Sequence, residues 1–243
     1  MRNAILLMTA GAVSVGLLAA AGEKPPLKVV MLSGAFEYRS HETLPILKKR
    51  LEADLQATCT LLQARKRKGH DVPGMEALDD ADVLVVFMRR QSLRADQLRR
   101  FKAWCEAGKP VVGIRTASHA VQTWLVFDKL VLGGNYRGHY RGGPDCKVTL
   151  TEAGKKHPIL QGVEPFVSKG SLYKNTGLKA THVLMYGEIP DHREPVAWTH
   201  TYKGGRIFYT SLGHQADFQN PHFLRMLTNA VRWAAGRQPQ PTP

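Results

Sequence analysis

DVLVVFM, at residues 82–88, is a continuous run of apolar and β-branched side chains, typical of a strand buried on both faces of a sheet. Helical periodicity follows over residues 93–107, with Ser92 as the expected N-cap and Gly108 as the stop. A second buried strand, PVVGI at residues 110–114, comes directly afterwards. Strand, helix and strand in this order predict a right-handed crossover between parallel strands.

The same alternation continues on both sides of this unit. Before it lie a strand at residues 27–33, a helix at 41–55 and a strand at 59–62; after it, helical spacing covers residues 118–132. Continuously apolar strands that alternate with helices predict a sheet covered on both faces. We therefore expect an α/β fold, a flavodoxin-like three-layer αβα sandwich around a mostly parallel sheet.

Beyond Gly133 and Gly134 the pattern changes, because strands follow one another with few helices between them. These extra strands of the C-terminal half are expected at residues 147–150, 183–186, 196–201 and 206–211. A helix at 221–235 closes the fold. Without an internal repeat or a linker, residues 22–236 are predicted to form one domain, followed by a proline-rich tail at 237–243.

The N-terminal 21 residues have the pattern of a secretory signal peptide. Arg2 gives a basic start, residues 4–21 are almost wholly apolar, and Ala19 and Ala21 suit positions −3 and −1 of a cleavage site. We expect export to the periplasm or the medium, with no stable membrane insertion after cleavage. The alternative is an uncleaved N-terminal anchor.

The amino-acid composition and charge exclude some classes of protein. With 43% hydrophobic and 22% charged residues the chain is globular, and 34 Lys and Arg against 20 Asp and Glu give a net charge of +14. The charge is dispersed apart from the basic run at residues 65–68 and two arginine pairs, and no nucleic-acid-binding module accompanies it, so we expect no nucleic-acid partner.

The three cysteines form no CxxC pair, which argues against a zinc ribbon or a thioredoxin-like site. Three cysteines cannot all pair within one chain, and Cys105 is predicted to be a buried thiol inside a helix. No HExxH or HxH spacing occurs among the ten histidines, so the sequence predicts no cofactor. A divalent metal is the alternative, if His41, His119, His139 and His214 converge in the fold.

Candidate catalytic residues lie in three loops that follow predicted strands. Glu37 lies in the first loop, Arg115 in the second, and His214 and Asp217 in the third. In an open parallel sheet such loops meet at the carboxyl ends of the strands. His214 would act as base or acid, Arg115 would stabilise an oxyanion, and the carboxylates would exchange protons or accept sugar hydroxyls.

Each assignment has a structural alternative. His214 would then bond a neighbouring loop, Arg115 would pair with Glu37 or Asp217, and the carboxylates would be helix caps or solvated loop residues. The candidate binding residues are mainly aromatic side chains and histidines that suit sugar faces and hydroxyl groups. They are Tyr38, Thr116, His119, Tyr136, His139, Tyr140 and Tyr173.

Several longer stretches resemble the trehalose-utilisation (ThuA-like) family. They are VVGIRTASHA (111–120), LGGNYRGHY (132–140), HPILQGV (157–163), SLYKN (171–175), PVAWTHTYKGGRIFYTSLGH (195–214) and FLRMLTNAVRWAAG (223–236). The resemblance implies a class I glutamine amidotransferase-like fold. It also implies a small-molecule carbohydrate partner, in the catabolism of trehalose or related disaccharides through 3-keto sugars.

Glutaminase activity is not expected, because it needs a nucleophilic cysteine after the PVVGI strand. Arg115 and Thr116 stand there instead, and Cys105 and Cys146 lie in other segments. The leading hypothesis is a lyase, hydrolase or isomerase that acts on a keto-sugar or glycoside. The alternatives are a non-catalytic carbohydrate-binding or accessory protein, and a charge-driven binder of acidic polysaccharide. The sequence indicates no oligomeric state.

Overall fold

The computed structural model describes residues 25–141, 145–178 and 181–237; the predicted signal peptide and residues 238–243 of the tail lie outside them. The strands are β1 (Lys28–Gly34), β2 (Thr58–Gln63), β3 (Val83–Met88), β4 (Val111–Ile114), β5 (Cys146–Leu150), β6 (Phe166–Ser168), β7 (His182–Ile189), β8 (His192–Tyr202) and β9 (Gly205–Thr210). The α-helices are α1 (Ser40–Leu55), α2 (Ala95–Glu106), α3 (Phe127–Leu130), α4 (Glu152–Lys155) and α5 (Pro221–Ala234).

The nine strands form one mixed sheet in the order β2-β1-β3-β4-β9-β8-β7-β5-β6. From β2 to β9 all neighbours are parallel, whereas from β9 to β6 all are antiparallel. The expected mostly parallel sheet is therefore found only in the first half. The turn between β8 and β9 explains the change: Lys203 and Gly204 both have positive φ (51° and 84°), as in the two-residue turns of antiparallel hairpins.

Two hydrophobic clusters cover the two faces of the parallel half. Along β1, Val29 and Met31 join the cluster that contains the apolar residues of α1 and α5. Val30 and Leu32 point to the opposite face and join the cluster that contains the buried residues of α2. This alternation follows from the two-residue period of a strand, and it gives the parallel half three layers.

Two local predictions are wrong. Residues 118–132 do not form one long helix: a 3-10 turn covers Arg115–His119, and α3 has only four residues. The backbone of Val121 instead forms an isolated β-bridge with Gln91. This pairing with a segment distant in sequence keeps Val121 in an extended conformation, so the helix does not continue through it. Ser92 does not cap α2, because its backbone N–H donates to Gly69 and the helix begins only after Arg94.

All three cysteines are buried and free. Cys105 lies in α2 and is 1% exposed, which confirms the predicted buried thiol. Within the described residues, no helix combines the length and apolar character needed to span a membrane.

Candidate functional site

Arg115 occupies the sharp turn at the carboxyl end of β4. Its φ is 46°, a left-handed conformation that is uncommon for a residue with a long side chain. The Tyr209 hydroxyl donates to the Arg115 carbonyl at 2.6 Å and fixes this turn. Gly213 lies against it, and a Cβ there would approach Ile114 to 2.7 Å, so the close packing of the two loops requires glycine.

The Arg115 side chain is 1% exposed and joins three loops. Nη1 donates to the Ser211 carbonyl at 2.8 Å, and Nη2 donates to the carbonyl and hydroxyl of Ser171 at 3.3 and 3.2 Å. The guanidinium lies between two tyrosine rings, 4.4 Å from the centre of Tyr38 and 4.6 Å from that of Tyr173. Arg115 therefore holds the walls of the site together and is not placed to contact a ligand.

His214 and Asp217 form a reciprocal cap on the short turn after β9. One oxygen of the buried Asp217 carboxylate, Oδ2, accepts hydrogen bonds from Ser168 Oγ at 2.8 Å and from the backbone N–H groups of Gly213 and His214 at 2.9 Å. This is the helix-cap alternative considered for Asp217. Neither Asp217 nor Glu37 forms a salt bridge with Arg115 in the described part of the chain.

The cap also determines which ring nitrogen of His214 carries the proton. Nδ1 accepts a hydrogen bond from the Ala216 N–H at 3.3 Å, so a neutral imidazole has its hydrogen on Nε2. Burial lowers the pKa of His214; Asp217 opposes that effect and Arg115 adds to it. His214 is thus a neutral hydrogen-bond donor, half-buried at the end of β9.

The His119 ring is bonded to the turn after β4. Its Nδ1 lies 3.0 Å from Ser118 Oγ, in a hydrogen bond that leaves Nε2 free for another partner. Burial, followed by the charges of Arg89 and Arg90, lowers the pKa of His119 to about 3. The ring is therefore neutral near pH 7.

Two tyrosines and a third histidine extend this surface. The His119 ring stacks on Tyr136 with centroids 4.7 Å apart, and Tyr136 lies 4.7 Å from the buried Tyr173. His139 is exposed, bridges to Tyr173 through the backbone, and has a pKa lowered by partial burial and then by Arg115. Asp128 holds the loop, since its Oδ2 accepts the Tyr136 N–H at 2.9 Å.

Two predicted binding residues do not join this surface. Thr116 is fully buried, with a hydroxyl that has no partner in the described structure, so it is not placed to contact a ligand. Tyr140 instead donates to Glu194 at 3.0 Å and stacks on His192 at 3.9 Å. The side chains brought together are those of Glu37, Tyr38, Arg115, His119, Tyr136, His139 and Tyr173, with His214 and Asp217 beside Arg115. We call this surface the crevice.

Sequence reasoning missed Arg89 and Arg90. They follow β3 directly, and Arg89 Nε binds Glu37 Oε2 at 3.0 Å. The signal was available, because the loop after DVLVVFM leaves the same edge of the sheet as the three loops that were considered. Within the described residues, no three His, Cys, Asp or Glu side chains are grouped as metal ligands.

One protein-family model matches the sequence. The model of the ThuA family, described as trehalose utilisation, matches residues 28–234. No curated protein matches the sequence.

Among solved structures, a ThuA-like protein from Parabacteroides merdae ATCC 43184 is 19% identical with a TM-score of 0.72, covering 90% of this chain and 93% of its own. A ThuA-like protein from Bacteroides uniformis ATCC 8492 is 18% identical with a TM-score of 0.66, over 90% and 95%. A cytoplasmic protein from Salmonella typhimurium LT2 is 15% identical with a TM-score of 0.57, over 86% and 99%. At these identities the structures support the fold alone.

Proposed function

The chain belongs to the ThuA family of trehalose utilisation, and on that premise we propose that its crevice binds and converts a disaccharide or a 3-keto sugar derived from one. One observation carries the proposal: the neutral imidazoles of His119 and His214 lie with exposed His139 and tyrosine rings around Arg115. Flat rings suit the faces of a sugar, and neutral imidazoles suit its hydroxyl and carbonyl oxygens.

The reaction we propose is elimination from a glycoside oxidised at C3. The ketone acidifies the neighbouring C2–H, so a base removes that proton while the C1–O bond breaks and a C1=C2 double bond forms. The same group then returns the proton to the departing oxygen, which leaves an enone and a free sugar. Charge develops on the ketone oxygen, where a fixed hydrogen-bond donor stabilises it.

Two side chains of the crevice fit these roles. Glu37 is the exposed carboxylate, with Oε2 paired to Arg89, and we assign it the proton transfer. His214 carries its hydrogen on Nε2 and, as a neutral imidazole, is suited to polarise the ketone. Arg115 and Asp217, whose Nη groups and Oδ2 are bonded inside the fold, position these groups.

The test follows 3-keto-trehalose and 3-keto-glucosides by NMR in D₂O. Wild type is expected to consume the substrate and to form an enone that no longer carries the C2 hydrogen. Glu37→Gln is expected to lose both, and His214→Ala to lose about a hundredfold in rate, as when one oxyanion donor is removed. His182→Ala, at an exposed position of β7, is the matched control. Full rates in both Glu37→Gln and His214→Ala would refute the assignment.

A non-catalytic carbohydrate-binding protein is the second candidate. What favours it is the buried Arg115 at the β4 turn, the position at which the resemblance to glutamine amidotransferases would lead one to expect a nucleophilic cysteine. Calorimetric binding of the sugar without any product would support this candidate over the enzyme.

We also propose that the chain lacks glutaminase activity. Burial raises the pKa of Cys59 and Cys146 to about 11 and that of Cys105 to about 12, so no thiolate is available near pH 7. Release of ammonia from glutamine at a rate abolished by a thiol reagent would contradict this.

Export remains a proposal that rests on the N-terminal sequence pattern. Expression of the full chain followed by cell fractionation tests it. The expected product is a periplasmic or secreted protein that begins near Gly22. Recovery in the membrane fraction with an intact N-terminus would support the anchored alternative.

A further inference from the structure

Arg90 lies at the edge of the crevice, directly after β3 and next to His119. Its backbone N–H donates to the His119 carbonyl at 2.8 Å, while the preceding Arg89 N–H donates to Gly34 at 3.2 Å. These bonds hold the end of β3 between the loop after β1 and the turn after β4. Arg90 has φ 50°, and left-handed conformations of bulky residues concentrate at functional sites.

The two arginines differ in their partners. Arg89 is paired with Glu37. Arg90 is exposed, and in the described part of the chain its side chain makes no ion pair or hydrogen bond. Its charge nevertheless reaches the crevice, because it contributes to lowering the pKa of His119. A guanidinium with all five hydrogen-bond donors uncommitted is available for a ligand.

The crevice has more positive than negative charge. Besides burial, the charges of Arg115, Arg141 and Arg89 lower the pKa of His139, and Glu37 opposes them. The nearby carboxylates do not neutralise Arg90, since Glu37 is paired with Arg89 and Oδ2 of Asp217 already accepts three hydrogen bonds. A neutral sugar needs no excess of positive charge in its binding site, whereas an anionic ligand would neutralise that charge.

A second basic segment lies beside Arg90. The Gly69 N–H donates to Gln91 Oε1 at 3.1 Å, and the Ser92 N–H donates to the Gly69 carbonyl at 2.8 Å. These contacts hold the exposed run at residues 65–68, Arg-Lys-Arg-Lys, against the segment that carries Arg90; Arg65 is paired with Asp71 at 2.7 Å. Clustered charge of one sign at a cleft attracts ligands of the opposite sign.

We propose that Arg90 binds an oxyanion on the sugar, so that the substrate is an acidic carbohydrate carrying a carboxylate, sulfate or phosphate group. A planar guanidinium binds each of these groups through two parallel N–H···O bonds. This inference rests on the proposed carbohydrate function and narrows its substrate class.

The test is calorimetric titration with trehalose and with three derivatives that differ at C6: the carboxylate, the 6-sulfate and the 6-phosphate. Wild type is expected to bind at least one acidic derivative about tenfold or more tightly than trehalose. Arg90→Gln is expected to lose this preference and to bind trehalose as wild type does. Arg99→Gln removes the same charge from α2, beside Asp79 and Trp104, and is expected to retain the preference.

The outcomes separate the inference from the function on which it rests. Equal binding of trehalose and all acidic derivatives, or an unchanged preference in Arg90→Gln, would overturn the inference and leave the carbohydrate function standing. If none of the four sugars binds and 3-keto-trehalose is also inert, both fail. The acidic derivative that binds most tightly identifies the oxyanion.

Discussion

A structural role and a catalytic role of Asp217 predict different effects of substitution. Its Oδ2 accepts three hydrogen bonds, from Ser168 Oγ and from the N–H groups of Gly213 and His214, and the residue is 3% exposed. Hydrogen bonds to a charged group contribute about 1.5–3 kcal/mol each. Because the three share one oxygen they do not add fully, and we expect Asp217→Ala to lower the free energy of unfolding by about 4 kcal/mol.

The isosteric Asp217→Asn keeps an oxygen acceptor and loses only the charge, so we expect a smaller loss, about 2 kcal/mol. In a domain of this size each kcal/mol lowers Tm by about 2–4 °C, so Asp217→Ala should melt roughly 10 °C below wild type. Urea unfolding measures the free energies, and Glu76→Gln, at an exposed position, is the control.

A loss below about 1 kcal/mol in Asp217→Ala would refute the cap role, because a buried cap with three donors cannot be that weak. The cap role would also be refuted if Asp217→Asn retained full stability and yet abolished conversion of 3-keto-trehalose. That combination would make Asp217 catalytic, as one interpretation of the sequence had it.

Three further predictions concern buried titratable groups. Burial raises the pKa of Asp128 to about 6. Because the folded-state pKa is raised, the wild type loses stability as the pH rises from about 4 to 6. The stability of Asp128→Asn relative to wild type should therefore rise over that range by about 3 kcal/mol. Urea unfolding at pH 4 and pH 7 checks it, and a pH-independent difference would contradict it. ¹⁵N NMR should find His119 neutral from pH 5 to 9; a titration near pH 6.5 would contradict its burial. Cys59, Cys105 and Cys146 should react with a thiol reagent only after unfolding, and a fast-reacting thiol in the native protein would contradict their packing.

The parallel half of the fold was predictable because its signals are local. A strand such as β3, buried on both faces, must be apolar at every position, and the helix that follows shows its own period. The antiparallel half was not assigned, because strand direction depends on the turns between strands. The Lys203–Gly204 turn is visible in the sequence only as a Lys-Gly-Gly stretch, and its positive φ values decide the hairpin.

The sequence predicted where the loops meet, but it did not predict the contacts of the individual side chains there. Histidines and charged residues after parallel strands do converge, but burial of the Arg115 guanidinium between Tyr38 and Tyr173 is a tertiary property that no spacing reveals. Arginine is seldom fully buried, so an exposed role was the natural expectation. Asp217 likewise has a cap role that depends on the neighbouring Ser168 of β6, a strand that the sequence analysis did not identify.

The central claim is that the crevice at the carboxyl ends of the strands binds the sugar. Side-chain NMR of the histidines during titration with 3-keto-trehalose tests it most directly. We predict that the imidazole signals of His119, His139 and His214 shift together with one dissociation constant, while the signal of His182 stays in place. Binding that shifts only His182, or that leaves the three crevice histidines unchanged, would contradict binding in the crevice.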